Sequence, residues 1–166
     1  PLHPLIVHVP VALLVFSAFL AIVGRLFDRD WVRRAGVLLL VFGFLGAWAA
    51  VLSGEPASHV PEDRQGVPEA RVATHEDAAY LTLWTALAAI VALGLGAKLP
   101  GGAGRAAATL GLVLQLAAAV FVGITGYRGG RLVYENGANV RVNGRLLVHP
   151  GFVPHAGGEH EDHDAK

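Results

Sequence analysis

The chain has 166 residues, of which 54% are hydrophobic and only 16% are charged, and its formal net charge at neutral pH is zero. Soluble domains carry about 25% charged residues, so the composition argues against a soluble protein, and the absence of net positive charge gives no electrostatic case for nucleic-acid binding. The chain has no cysteine and no methionine, which excludes disulfides, thiolate metal sites, c-type haem and methionine axial ligands.

Four stretches of the chain contain no Asp, Glu, Lys or Arg residue. They are Leu5–Gly24, Ala35–Gly54, Ala78–Ala97 and Ala106–Tyr127. Each has about the 20 residues that a helix needs to cross a bilayer core. The sequence therefore predicts an all-α membrane protein: a four-helix transmembrane bundle within residues 1–130, with spans at about residues 5–27, 33–54, 74–98 and 105–127.

The linkers between the spans indicate the orientation of the bundle. The first linker, Arg25–Arg34, holds four arginines, and the third, Lys98–Arg105, holds two basic residues and no acid. The second linker, Ser53–Asp77, holds six acids against two arginines. Because short basic loops stay in the cytoplasm, we expect both termini and the second linker outside. In a bacterium this is a multi-pass inner-membrane protein with these parts on the periplasmic face.

The first span opens with HPLIVHVP, His3–Pro10. Pro10 has no N–H to donate to the carbonyl of Ile6, so a local irregularity is expected next to His8. The third helix begins either at Pro68 or at Thr74, where THED is a variant of the capping box. In the fourth span, Gln115 is expected to make an interhelical hydrogen bond.

The character of the sequence changes after the fourth span. Three short β-type runs follow, at Leu132–Tyr134, Ala138–Val142 and Leu146–His149. Asn136–Gly137 and Asn143–Gly144 separate these runs, and Asn-Gly is a strong hairpin signal. Residues 131–150 are therefore predicted to form a small external β-meander that caps the bundle. Residues 151–166 form a His-rich acidic tail that is predicted to be disordered.

All eight histidines fall on the outer side of this topology or in the outer end of a span. They are His3, His8, His59, His75, His149, His155, His160 and His163. Ionisable residues inside membrane spans are rare and mark functional sites, and two histidines on different helices of a bundle can hold a b-type haem. We therefore predict His8 and His75 as axial ligands of haem b, with Arg71, Arg128 and Arg131 paired to its propionates. For His3 and His59 the sequence favours a structural hydrogen bond.

Two other readings stay open. A copper, zinc or iron ion could bind His8 and His75, with His3, His59 or Glu76 as additional ligands. The chain could also be a cofactor-free accessory subunit of a larger membrane complex. No hydrolase, phosphate-loop or metalloprotease motif is present. We expect an electron carrier or accessory subunit rather than a bond-making enzyme, and its partners are the lipid bilayer and a redox protein or larger complex.

The chain resembles a known family in four motifs. These are LHPLIVHVPVALL at the start, SGEPAS after the second span, THEDAA at the third and GYRGGRLVYENG after the fourth. They are similar to the predicted bacterial membrane proteins catalogued as domain of unknown function twenty-two thirty-one (DUF2231), from Leu2 to about Val140. The resemblance implies four spans and an association with redox proteins, since some members are fused to Rieske iron–sulfur or cytochrome domains. The family's recurring histidines fall at His3, His8 and His75, whereas Asn136 replaces a histidine that often follows the LVY motif.

Overall fold

The computed structural model describes the backbone of residues 3–60 and 65–148, and the side chains of residues 3–54 and 65–148. Within these ranges the chain forms five helices and one two-stranded sheet. The elements in chain order are α1 His3–Ile6, α2 His8–Leu26, α3 Asp30–Val60, α4 Glu69–Lys98, α5 Gly101–Tyr134, β1 Arg141–Val142 and β2 Arg145–Leu146.

The predicted four-helix architecture is confirmed. Four segments of the described chain are long and apolar enough to cross a membrane: His3–Leu26, Asp30–Gly54, Glu69–Lys98 and Gly101–Tyr134. Large apolar side chains cover the outside of the bundle, and Phe16 and Trp84 are each 60% exposed. Such a surface suits lipid rather than water.

The bundle is built from two helical hairpins. In the first, α1 and α2 pack on α3, and in the second, α4 packs on α5. Glycines allow close approach within each hairpin: a Cβ added at Gly43 would lie 2.7 Å from Leu14, and one at Gly111 would lie 2.7 Å from Leu93. The hairpins share one core, whose buried members are Leu14, Leu40, Ala86, Ala89, Ala118 and Val122.

Gln115 joins the two hairpins through a buried polar contact. Its Nε2 donates to Ser17 Oγ at 2.6 Å and lies 3.2 Å from Ser17 O. Both side chains are almost completely buried, at 1% and 0% exposure. The predicted interhelical hydrogen bond is confirmed, and it links α5 to α2.

The start of the first span is irregular, as predicted from its prolines. The helix is interrupted at Val7, between α1 and α2. The carbonyl of Ile6 lies opposite Pro10, which has no N–H to offer. Val7 N–H still donates to His3 O at 3.1 Å, so the two pieces continue as one candidate span.

The third span begins at the earlier of the two expected positions. Its first residue is Glu69, preceded by Pro68. Thr74 does not cap the helix, because its Oγ1 donates to Arg71 O at 2.9 Å within the helix. His75 consequently lies almost two turns inside α4.

The predicted β-run at Leu132–Tyr134 is wrong, because these residues form the last turn of α5. Arg131 and Glu135, four residues apart, make an ion pair at 2.8 Å that supports a helix here. Gly137, at φ +65°, ends the helix with its N–H on Val133 O at 3.0 Å. The helical bundle therefore extends past residue 130, and the meander is reduced to one hairpin.

The hairpin pairs β1 antiparallel to β2, with Arg141 opposite Leu146. Asn143 and Gly144 form its turn with positive φ angles of 52° and 79°, which is the backbone that a two-residue Asn-Gly turn requires. The third predicted run ends at His149, which lies outside the described residues, as does the tail of residues 151–166.

Gln65 fastens the hairpin to the linker that precedes α4. Its Nε2 donates to Gly137 O at 2.9 Å and to Leu147 O at 2.6 Å. Its Oε1 accepts the N–H of Asn139 at 2.7 Å. Gln65 is fully buried, so its amide supplies hydrogen bonds that water cannot supply at this position.

Candidate cofactor site

Two histidines from opposite hairpins meet at one end of the bundle. The ring centroids of His3 and His75 are 6.5 Å apart, and the ring planes are nearly perpendicular, at 88°. His3 lies on α1 and His75 lies on α4. Both rings are half-buried, so the pair combines protein packing with access from outside.

The His3 ring is held by the neighbouring helix α3. Its Nδ1 lies 3.0 Å from Ser53 Oγ, and Ser53 Oγ donates its own proton to Ala50 O at 3.0 Å. With the single hydroxyl proton directed at Ala50 O, Ser53 Oγ accepts from Nδ1 of His3, and the His3 ring also has a backbone hydrogen bond with Ala50. The next residue, Gly54, leaves room for the ring, because a Cβ there would lie 3.3 Å from His3 Cε1.

The His75 ring is held in a parallel way by the neighbouring helix α5. Its Nδ1 donates to the carbonyl of Thr125 at 3.1 Å, and a carbonyl can only accept. A Cβ added at Gly129 would lie 3.0 Å from His75 Cε1. Both histidines thus have a proton on Nδ1 and rest against a glycine of a partner helix.

In a neutral ring, a proton on Nδ1 leaves Nε2 with a free lone pair. Among the described residues, the printed contacts of both rings with Ser53 and Thr125 run through Nδ1. Histidines that bind metals characteristically donate their other ring N–H to a carbonyl, carboxylate or water, which fixes the tautomer and the ring orientation. The bond from His75 Nδ1 to Thr125 O is a contact of this kind.

The ring that approaches His75 is that of His3, and His8 is placed differently. His8 is exposed, and its Nδ1 donates to Pro4 O at 2.6 Å. The role of His8 as an iron ligand stays a prediction.

Helical phase was the signal that could have identified His3. The buried residues of α2 include Pro10, Leu14 and Ser17, and spacings of seven place His3 on the line through Pro10 and Ser17. His8 is out of phase with that line.

The other candidate ligands do not join this pair within the described residues. Glu76 follows His75 and is half-buried. The backbone of His59 is part of α3, and its side chain lies outside the described residues. No group of three or more His, Asp or Glu residues that could hold a metal ion occurs in the described part of the chain. Among the described residues, the structure brings together the imidazoles of His3 and His75.

The three predicted arginines line one groove near the His75 end of α4. The groove has a volume of about 250 Å³ and is lined by Ala70, Arg71, Thr74, Arg128, Arg131, Leu132 and Asn136. Arg128 donates to Thr74 O at 2.6 Å, next to His75. Arg128 also precedes Gly129, which supports the His75 ring, so the groove and the imidazole pair share neighbouring residues.

Glu135 neutralises part of the positive charge in this region. It makes ion pairs with Arg131 at 2.8 Å and with Arg71 at 3.1 Å. The Arg131 guanidinium, followed by that of Arg71, lowers the pKa of the Glu135 carboxyl below its ordinary range. In the same groove, Oδ1 of Asn136 is buried without a hydrogen-bond partner among the described residues. Of the three arginines, Arg128 has no acidic partner among the described residues.

Comparison with known proteins gives one match. The family model described as "Predicted membrane protein (DUF2231)" matches residues 1–142. No curated protein and no solved structure matches the chain significantly. The match covers both histidines of the pair, the two hairpins and the arginine-lined groove.

Proposed function

The chain belongs to the DUF2231 family of predicted membrane proteins, and we propose that it is an integral membrane electron-transfer subunit that binds a b-type haem between His3 and His75. The observation that carries this proposal is the pair of neighbouring imidazoles, whose ring centroids are 6.5 Å apart with the ring planes at 88° and whose Nδ1 atoms contact Ser53 Oγ and Thr125 O. The family description supports the membrane setting, and the haem is inferred from the site.

The separation of the two rings fits this use. Metal–imidazole bonds are about 2.0–2.1 Å long, and the bonding nitrogen lies about 1.2 Å from the ring centroid, so two opposed ligands of one metal have centroids roughly 6.4 Å apart. The observed separation is 6.5 Å. Gly54 and Gly129 support this spacing, because side chains there would press on the two rings.

The number of converging ligands favours haem over a bare copper, zinc or iron ion. A haem already supplies four nitrogens to its iron and needs two opposed imidazoles, whereas a structural zinc site takes four protein ligands. The described residues bring together two histidines and no third ligand. The bare-ion reading requires Glu76 to turn towards the pair or His59 to join it.

The arginine-lined groove offers partners for the propionates. Arg128 is the leading candidate, because it lies beside Thr74 and His75 and has no carboxylate partner among the described residues. Arg71 and Arg131 contribute further positive charge that Glu135 only partly offsets. When bound, haem supplies reversible one-electron chemistry at iron. The protein holds the iron through its histidines and shields it within an apolar bundle, and it makes no covalent bond itself.

The charge distribution supports a site at the outer face of the bacterial inner membrane. The loop between α2 and α3 and the loop between α4 and α5 are the basic ones, and basic loops remain cytoplasmic. The histidine pair lies at the opposite end of the bundle. Electrons would therefore pass between a periplasmic carrier or partner subunit and another redox centre.

The test is the visible spectrum of detergent-purified protein from haem-replete cells, before and after dithionite. We expect a Soret band with sharp reduced α and β bands in the wild type. His75→Ala and His3→Ala each remove one axial bond, so both variants should lose haem or its low-spin spectrum. His8→Ala is the matched control and should retain the spectrum.

Three other outcomes would overturn parts of the proposal. A flat wild-type spectrum rules out haem, and elemental analysis then tests for copper, zinc or iron. Retention of the low-spin spectrum in both His3→Ala and His75→Ala removes the axial assignment. Loss in His8→Ala together with retention in His3→Ala transfers the ligand role to His8.

A further inference from the structure

We propose that Ser53 is a positioning residue that keeps the proton of His3 on Nδ1 and thereby sets the metal affinity and redox potential of the site. The tautomer of His3 is inferred from its contact with Ser53 and from the bond of Ser53 to Ala50. Its effect on affinity and potential rests on the proposed haem-binding function.

The direction of the hydrogen bond between Ser53 and His3 is inferred from the second bond of the hydroxyl. Ser53 Oγ donates to the Ala50 carbonyl at 3.0 Å, three residues earlier in α3. Its single proton is therefore used, and the oxygen can only accept from a third group. His3 Nδ1, at 3.0 Å, is that group.

Removing this acceptor would change the chemistry of the ring. With the proton on Nδ1, Nε2 has the lone pair that binds a metal. With the proton on Nε2, that lone pair is lost. Ser53 is the described side chain that contacts Nδ1 of His3, and the ring also has a backbone hydrogen bond with Ala50 that substitutions retain.

The equivalent contact of His75 is not adjustable in this way. Its Nδ1 donates to a backbone carbonyl, that of Thr125, which every substitution retains. A change at position 53 therefore alters one axial position and leaves the other intact. A hydrogen-bonded Nδ1–H makes the imidazole a stronger electron donor to a metal. Losing Ser53 should therefore favour Fe(II) and raise the reduction potential of the haem iron.

The first arm of the experiment needs no haem. Full-length protein labelled with ¹⁵N-histidine is purified without haem, and the ring nitrogens of His3 are assigned by their loss in His3→Ala. The wild type should show Nδ1–H for His3. Ser53→Val should shift the population towards Nε2–H, whereas Ser53→Thr, of matching shape, retains the hydroxyl and should resemble the wild type. Ser17→Ala, which removes a buried hydroxyl elsewhere in the bundle, should leave His3 unchanged.

The second arm uses the haem-loaded protein. We expect Ser53→Val to lower haem affinity by about 10–100-fold, the range typical of lost outer-shell partners, and to raise the midpoint potential. Ser53→Thr should restore both. An unchanged His3 tautomer in Ser53→Val overturns the inference, and so does a shift in affinity or potential that Ser53→Thr does not restore.

The two arms separate this inference from the proposed function. If the wild type binds no haem but its His3 tautomer depends on Ser53, the proposed function fails and the positioning role stands. If haem binds between the histidines but Ser53→Val changes neither tautomer nor potential, the positioning role fails alone.

Discussion

The two helical hairpins hold their histidines in similar ways but with different rigidity. Each ring lies against a glycine of the partner helix and donates its Nδ1 proton to an acceptor on that helix. His3 uses the hydroxyl of Ser53, whereas His75 uses the carbonyl of Thr125. The first hairpin therefore contains the half of the proposed site in which a side chain contacts Nδ1, and in the second half a backbone carbonyl makes that contact.

Local helix structure adds to this difference. His3 belongs to a four-residue helix that is interrupted at Val7, close to the N-terminus. His75 lies inside the continuous helix α4, and Arg128 ties that helix to α5. An imidazole on the short helix can move at less cost than one in the middle of a packed hairpin, so the His75 half should tolerate less change.

The largest effect that tests this comparison comes from filling the two glycine positions. Gly129→Ala would place a Cβ 3.0 Å from the His75 ring, whereas Gly54→Ala would place one 3.3 Å from the His3 ring. We expect Gly129→Ala to destabilise the protein by about 1–3 kcal/mol, as overpacking does, and Gly54→Ala to cost less. Unfolding in detergent, with haem content measured alongside, checks the order. Equal losses would show that the two halves are equally rigid.

A middle-sized effect is expected where the hairpins are joined. Gln115→Leu keeps the bulk of the side chain but removes its bond to Ser17 Oγ. Interhelical hydrogen bonds in membranes contribute about 0.6–2 kcal/mol, so the loss of stability should lie in that range. Because each hairpin contributes one histidine to the proposed haem site, we also expect a lower haem affinity. The double variant with Ser17→Ala should cost less than the two single variants together, and strict additivity would contradict the contact.

The smallest effect concerns the ion pairs at the end of the second hairpin. Arg131 and Arg71 lower the pKa of Glu135 in the folded protein. The folded pKa lies below the unfolded one, so this stabilisation is complete above the ordinary glutamate range near pH 4.3 and disappears as the pH falls through the folded pKa.

Thermal unfolding between neutral pH and about pH 3 tests this difference between the folded and unfolded pKa. We expect Glu135→Gln to flatten the acid-side loss of stability slightly, since exposed ion pairs contribute little. Asp77→Gln, which changes an exposed acid without an ion pair among the described residues, is the control. If stability falls with pH in the same way in Glu135→Gln and in the wild type, the ion pairs of Glu135 do not contribute to the acid-side loss of stability.

The sequence predicted well those features that depend on local composition. Uncharged runs of about 20 residues identified the four spans, and a lone polar residue in the fourth, Gln115, identified a contact between helices. The β-run at Leu132–Tyr134 was wrong because residue preference was outweighed by the Arg131–Glu135 pair and by the helix end at Gly137. Each of those contacts involves at least one residue beyond the run, namely Arg131, Glu135 or Gly137.

The amino-acid sequence by itself determined that this is a four-helix membrane bundle with histidines at one end, because span length and charge are properties of the local chain. Only the tertiary structure decided that the His3 ring lies beside the His75 ring. That pairing depends on the rotational phase of α1, on Ser53 and Gly54 of α3, and on the docking of the second hairpin. Such contacts join residues about 50 or more positions apart. They form when the helices pack, so the order of residues does not show them.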